Sequence, residues 1–194
     1  KKTAQTAAAI LGIPEDSVLL ASTGVIGKQL PMDILEAGVK KMVPLLSETD
    51  AAGTLAAESI MTTDTVKKEI AVETEINGKK VTIGGMCKGS GMIHPNMCTM
   101  LGFLTTDVNI SKELLQEALS DNVKDTYNMV SVDGDTSTND TVLLLANGQA
   151  GNKEITEKNE DYSKFTEALG YVNTWLSKHI AADGEGATAL FEVK

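Results

Sequence analysis

Apolar and polar positions alternate most clearly in Lys68-Glu-Ile-Ala-Val-Glu-Thr-Glu-Ile76, and a second run from Lys79 to Met86 follows directly after Asn77-Gly78. Period-two alternation on both sides of Asn-Gly predicts a β-hairpin closed by a two-residue turn. Helical spacing is clearest in Leu35, Val39, Met42 and Leu46, behind Pro31, a residue suited to the first helical position. Pro44 sets the end of that helix nearby. A second stripe of Phe165, Leu169, Val172, Leu176 and His179 predicts a long helix, with His179 at the edge of the core. Ser111 is placed to cap a helix carrying Leu114, Leu115, Ala118 and Leu119.

The remaining pattern is weaker. Residues 3–12 read as a short helix, and Ser17 to Ser22 as an apolar strand that delivers a turn at Thr23-Gly24. Thr99 to Thr106 reads as a buried strand, and Asn128 to Val132 as another. The apolar piece Thr141 to Ala146 is consistent with helix or strand, because periodicity does not separate the two in so short a run. Residues 148–161 are polar and read as an exposed connection, and Ala189 to Val193 as a closing strand. There is no internal repeat. Alternating helices and strands predict an α/β fold of layered mixed sheets flanked by helices.

Composition narrows the picture. A chain of 194 residues with 42% hydrophobic content forms one domain of good size or two small lobes. No window is long and apolar enough to span a membrane, and no charged and then apolar leader opens the chain. A net charge of −10 and the absence of Arg argue against nucleic acid and leave a small molecule as the expected partner. Cys87 and Cys98 are too few for a disulfide framework and lack zinc-motif spacing, so a reduced, cytoplasmic protein is the simpler reading. His94 and His179 lie far apart with no third ligand suggested; each reads as structural, and no metal site is expected. Asp133-x-Asp135-x-Ser137 begins like a calcium loop, but Thr138 stands where the turn Gly belongs and Leu144 where the bidentate Glu belongs.

The most constrained run is Lys88-Gly-Ser-Gly-Met-Ile-His-Pro-Asn-Met-Cys-Thr99-Met-Leu. Its glycines open backbone geometries closed to other residues, and Pro95 fixes its own φ while biasing His94 away from the helical region. The run offers one hydroxyl nucleophile candidate, Thr99, at the start of a predicted strand, where a rigid element would hold it. It resembles the cleavage and nucleophile motif of the ornithine acetyltransferases, also called glutamate N-acetyltransferases of the arginine pathway. Cys98 stands where many members carry Ala. Four further segments fit that family in order: Thr23-Gly-Val-Ile-Gly27 with Leu30-Pro31, Met61-Thr-Thr-Asp64, Val132 to Asp140, and Asp183-Gly-Glu-Gly-Ala-Thr188.

The resemblance implies a DmpA/ornithine acetyltransferase-like fold and a specific chemistry. Thr99 would attack the Cys98 carbonyl, water would open the ester, and the new α-amine, with an ordinary pKa of about 7.7–8.0, would serve as base. The same hydroxyl would then take acetyl from N-acetylornithine and pass it to glutamate in a ping-pong reaction through acetyl-Thr99. The resemblance assigns the oxyanion hole to Thr23 and Gly24, and substrate binding to Thr62, Lys88, Thr99 and Glu185. Lys88 would neutralise a carboxylate and Glu185 would pair with an ammonium group. It also implies segments 1–98 and 99–194 on either side of the cleavage, and a heterotetramer of the cleaved α and β segments in the full-length protein. Family regions preceding and following this chain, the latter supplying a further Asn and Thr to the pocket, are expected to lie outside it. No cofactor is implied, with acetyl-CoA as an alternative acetyl donor. A related amidohydrolase or acyltransferase on another acylated amine, and an inactive structural fragment, are the competing readings.

Overall fold

Asn77 and Gly78 both take left-handed backbone angles, φ 52° and 68°, the geometry that matches the twist of the strands on either side. They close β1 (Lys68–Ile76) onto β2 (Lys79–Lys88) in the register Lys68 opposite Cys87 and Ile76 opposite Lys79. The computed structural model describes residues 1–94 and 100–193. Strand β3 (Leu101–Thr106) returns antiparallel along β2, with Leu101 opposite Lys88. Strand β4 (Thr141–Ala146) lies parallel to β3, which resolves that apolar run as a strand. The sheet is mixed and four-stranded, in the order β1-β2-β3-β4.

Five α-helices occur among the described residues: α1 (Lys2–Leu11), α2 (Met32–Met42), α3 (Asp50–Ser59), α4 (Lys112–Lys124) and α5 (Glu160–Ala182). Packing divides the chain into two units, Lys1–Ala56 and Ala57–Lys194. In the first, α1 packs on α2 and buries Ala4 and Ala8. Leu35 and Val39 of the α2 stripe are half-buried, whereas Met42 and Leu46 are exposed, since two short helices offer too little surface to cover the whole stripe.

The second unit holds the core. Helix α5 lies across β1 and β2, and α4 packs against α5. Ile76, Val81, Ile83 and Leu104 of the sheet meet Phe165, Leu169, Val172, Leu176 and Ile180 of α5. Each fully buried side chain of this kind contributes about 1.5–3 kcal/mol. The helix sits close because Gly85 lacks a Cβ, which would lie 3.0 Å from both Leu176 and Val172. His179 is half-buried and stacks on Trp175 at 3.5 Å, at the edge of the core as the stripe predicted. Ser111 caps α4, accepting the N–H of Leu114 at 3.4 Å, and Asn159 caps α5, accepting that of Tyr162 at 3.0 Å. Among the described residues no helix is long and apolar enough to cross a membrane.

The mixed α/β class follows the sequence, but four local readings do not. Ser17 to Ser22 forms no strand, Asn128 to Val132 forms none either and begins inside a short 3-10 helix at Tyr127–Met129, and residues 189–193 are irregular, with Phe191 and Val193 exposed. In each case apolar residues supplied strand propensity, but among the described residues no neighbouring ladder pairs with them. The connection 148–161 is not wholly exposed. Asn152 is buried because its amide bonds the backbone of Asn109 in both directions, at 2.8 and 3.0 Å, and Ile155 is buried beside it in a parallel bridge to Ile110. Helix α3, rich in Ala, has a good helix-forming composition but no large apolar stripe to announce it.

Candidate active site

At the start of β1 the ammonium of Lys68, wholly buried, donates to Asp64 Oδ1 at 2.8 Å, Asp183 Oδ2 at 2.6 Å and the Val66 carbonyl at 3.2 Å. Asp64 is the hub. Its Oδ1 also accepts the N–H of Gly89 at 2.7 Å, and its Oδ2 accepts the N–H of Thr62 at 3.1 Å. Burial alone would raise the Asp64 pKa, but the Gly89 N–H, the Lys68 ammonium and the Thr62 N–H outweigh it and hold the carboxyl below the ordinary value. Asp183 behaves alike: burial pushes it up, and Lys68 together with the hydroxyl and N–H of Thr65 hold it down.

Lys88 closes β2 beside this cluster. Its buried ammonium lies 3.8 Å from Asp64 Oδ2, an ion-pair separation longer than a hydrogen bond. Among the described residues that ammonium makes no hydrogen bond. Next along the chain, the Ser90 hydroxyl meets the Thr63 hydroxyl at 2.6 Å, and the Ser90 carbonyl accepts the N–H of Glu185 at 2.7 Å. The Glu185 carboxylate lies directly over Gly91, so close that a Cβ there would fall 2.5 Å from Glu185 Cδ. A buried cation and an exposed anion thus stand at opposite ends of the Gly89-Ser90-Gly91 segment.

Two carboxylates anchor the chain on either side of residues 95–99. Asp133 accepts the N–H of Met92 at 2.5 Å and of Ile93 at 2.8 Å, and Asp140 accepts the N–H of Met100 at 2.9 Å. Burial raises Asp133, but the N–H groups of Asp135, Ile93 and Met92 more than reverse this and leave it low. For Asp140 burial prevails over the Met100 N–H and its pKa is raised.

Of the residues singled out from the sequence, Thr62, Lys88 and Glu185 come together through Asp64 and the Gly89–Gly91 turn. Thr62 is exposed and joins by its backbone N–H. Thr23, half-buried, and Gly24, exposed, belong to the unit Lys1–Ala56, on an irregular segment ahead of the turn closed by Lys28 N–H to the Val25 carbonyl at 3.2 Å. Cys98 and Thr99 lie outside the described residues. Asp64, Lys68, Asp183, Asp133 and Asp140 were given no role from the sequence, although four of them sit in the motifs that carried the resemblance. Cys87 is buried and its thiol is pushed up to about 12, chiefly by burial, so it stays protonated. Among the described residues no group of three or more His, Cys, Asp or Glu is placed to hold a metal ion.

Comparison with known proteins extends these observations. The arginine biosynthesis bifunctional protein ArgJ 1 of Clostridium acetobutylicum is 56% identical over 191 residues, 98% of this chain and 46% of that protein. The arginine biosynthesis bifunctional proteins ArgJ of Lactococcus lactis and Thermotoga neapolitana are 52% and 50% identical, covering 99% and 100% of this chain and 48% of each of those proteins. The chain spans about half the length of the curated relatives it matches. A crystal structure of the arginine biosynthesis bifunctional protein ArgJ from Bacillus halodurans is 48% identical, with a TM-score of 0.41 over 43% of this chain and 39% of that one. The ArgJ family profile matches residues 1–194. A match through every residue, with at least half of the positions identical to these relatives over nearly the whole chain, means that the chain belongs to the ArgJ family, the ornithine acetyltransferases its motifs resemble.

Proposed function

We propose that this chain carries the acetyl-transfer site of a glutamate N-acetyltransferase, which moves acetyl from N-acetylornithine to glutamate through an acetyl-Thr99 intermediate after self-cleavage at Cys98–Thr99. The observation that carries the reading is the pairing of charges along the Gly89–Gly91 turn. A buried Lys88 ammonium without a hydrogen bond among the described residues suits an incoming carboxylate, and the exposed Glu185 carboxylate suits an ammonium group. An amino-acid substrate carries both.

In this reading Thr99 is the nucleophile and Thr23 with Gly24 supplies the oxyanion donors, each of which is worth about 2.7–4 kcal/mol in comparable sites. Thr62, Lys88, Thr99 and Glu185 hold the substrate. Lys88 stands opposite Leu101, which lies two residues after Thr99 in the sequence. The transferred acetyl needs no resident cofactor, since the bond energy passes from amide to ester to amide. The relatives are named bifunctional, and acetyl-CoA is the second donor we would test. The protein would act in the cytoplasm as an assembly of cleaved α and β segments.

The test is transfer of acetyl from N-acetylornithine to labelled glutamate by the full-length protein, read against free acetate, with acetyl-CoA as an alternative donor. Labelled N-acetylglutamate supports the reading. Acetate release without transfer would replace it with hydrolysis of an acylated amine.

A further inference from the structure

Lys68 and Lys88 are both buried and both lie beside Asp64, yet their situations are opposite. Lys68 spends all three of its N–H donors, on Asp64, Asp183 and the Val66 carbonyl. Lys88 stands at 3.8 Å from Asp64 Oδ2, with no hydrogen bond from its ammonium among the described residues. The cluster holds two carboxylates and two ammonium groups and is formally neutral. Without Lys68, Asp64 and Asp183 would be left with Lys88 as their one remaining cation among these four groups. A carboxylate arriving at Lys88 would then meet an uncompensated negative charge in a poorly solvated corner.

We propose that Lys68 is a positioning residue: it saturates Asp64 and Asp183, and so keeps the charge of Lys88 available for the carboxylate of the substrate. This rests on the reading of Lys88 given above. Asp64 conveys the effect, because one of its oxygens is bound by Lys68 while the other faces Lys88. Asp183, which caps the end of α5 two residues before Glu185, ties the same ammonium to the other charged end of the site.

The experiment compares N-acetylornithine with its α-carboxamide as ligands of the full-length protein. In Lys68→Met, affinity for the carboxylate ligand should fall about tenfold or more, with the carboxamide changed less than about threefold. In the double variant Lys68→Met/Asp64→Asn, which restores formal neutrality, the preference for the carboxylate should return. A merely structural Lys68 would weaken both ligands alike, and equal losses overturn the proposal. If Lys68→Met does not fold, Asp64→Asn is compared with the double variant, and the loss of one cation should again cost about tenfold for the carboxylate ligand alone. Lys88→Met separates the two failures. If it shows no carboxylate-selective loss, the reading of Lys88 itself is wrong; if it does and the Lys68 variants do not, only the role of Lys68 falls.

Discussion

Asp64 and Gly89 are joined by a 2.7 Å hydrogen bond from the Gly89 N–H to Oδ1, which fixes the first residue of the turn that follows Lys88 to a carboxylate already bound by Lys68. The end of β2, the Thr62 segment and the residues after α5 therefore share one polar anchor. That anchor is expensive to break on one side only. Lys68→Met should lower the stability of the protein by about 3–5 kcal/mol, because it leaves buried carboxylates short of a partner. Adding Asp64→Asn should return part of that loss. Urea unfolding of the three proteins checks this, and a double variant less stable than the single would contradict it.

The contact of Glu185 with Gly91 predicts a steric route to the same defect as a charge change. A Cβ at position 91 would collide with the Glu185 carboxylate, but that side chain is exposed and free to swing away. Gly91→Ala should therefore cost less than about 1 kcal/mol of stability while raising KM for N-acetylornithine about tenfold, and Glu185→Gln should raise it by a similar factor. Steady-state kinetics beside thermal unfolding tests it. An unchanged KM in both variants would remove Glu185 from the substrate site.

Thr99 gives the sharpest covalent prediction. Thr99→Ala should yield a chain of uncleaved mass under denaturing conditions and no detectable acetyl transfer, whereas Cys98→Ala should permit both. Cleavage that survives Thr99→Ala would identify another nucleophile.

Acid should separate two kinds of carboxylate. Asp64 and Asp183 have folded pKa values below the ordinary 3.8, so their contribution to stability is complete above that value and drains away as pH falls through the lower, folded ones. Asp140 runs the other way. Its folded pKa is raised, so its contribution is present below 3.8 and is lost as pH rises through the folded value. At pH 7 Asp64→Asn should destabilise, while Asp140→Asn, which keeps an acceptor for the Met100 N–H, should be neutral or stabilising. Unfolding measured across acid pH reads both slopes, and effects of the same sign would refute the assignment.

The parts of the fold visible in the sequence were those written in local periodicity. The Asn77-Gly78 hairpin, the Ser111 cap and the Phe165 to His179 stripe each declare themselves within a short window, and each is present. Strands that need a distant neighbour were less legible, which is why Ser17 to Ser22 and Ala189 to Val193 misled. The site followed the same division. Lys88 and Glu185 came from resemblance to a family, since nothing in spacing distinguishes them from solvated charges. Lys68 opens a strand, where Lys is ordinarily exposed, and its burial is decided by Asp183 at the far end of the chain. Asp133 read as the start of a failed calcium loop, and Asp140 drew no reading, because the partners of both are backbone N–H groups, which carry no sequence signature.

The pairing of β2 with β3 has a further consequence. Its six facing pairs, from Ile83–Thr106 to Lys88–Leu101, join residues that lie on opposite sides of positions 95–99. A backbone opened there would make that ladder a seam between two polypeptides, one bringing β1 and β2 and the other β3, β4, α4 and α5. The seam would include the packing of Phe165, Leu169 and Val172 against the first hairpin. Such halves would behave as complementing fragments. They would not drift apart as separate solutes, because parting them means exposing the whole core, and their lifetime together would be set by the rate of unfolding.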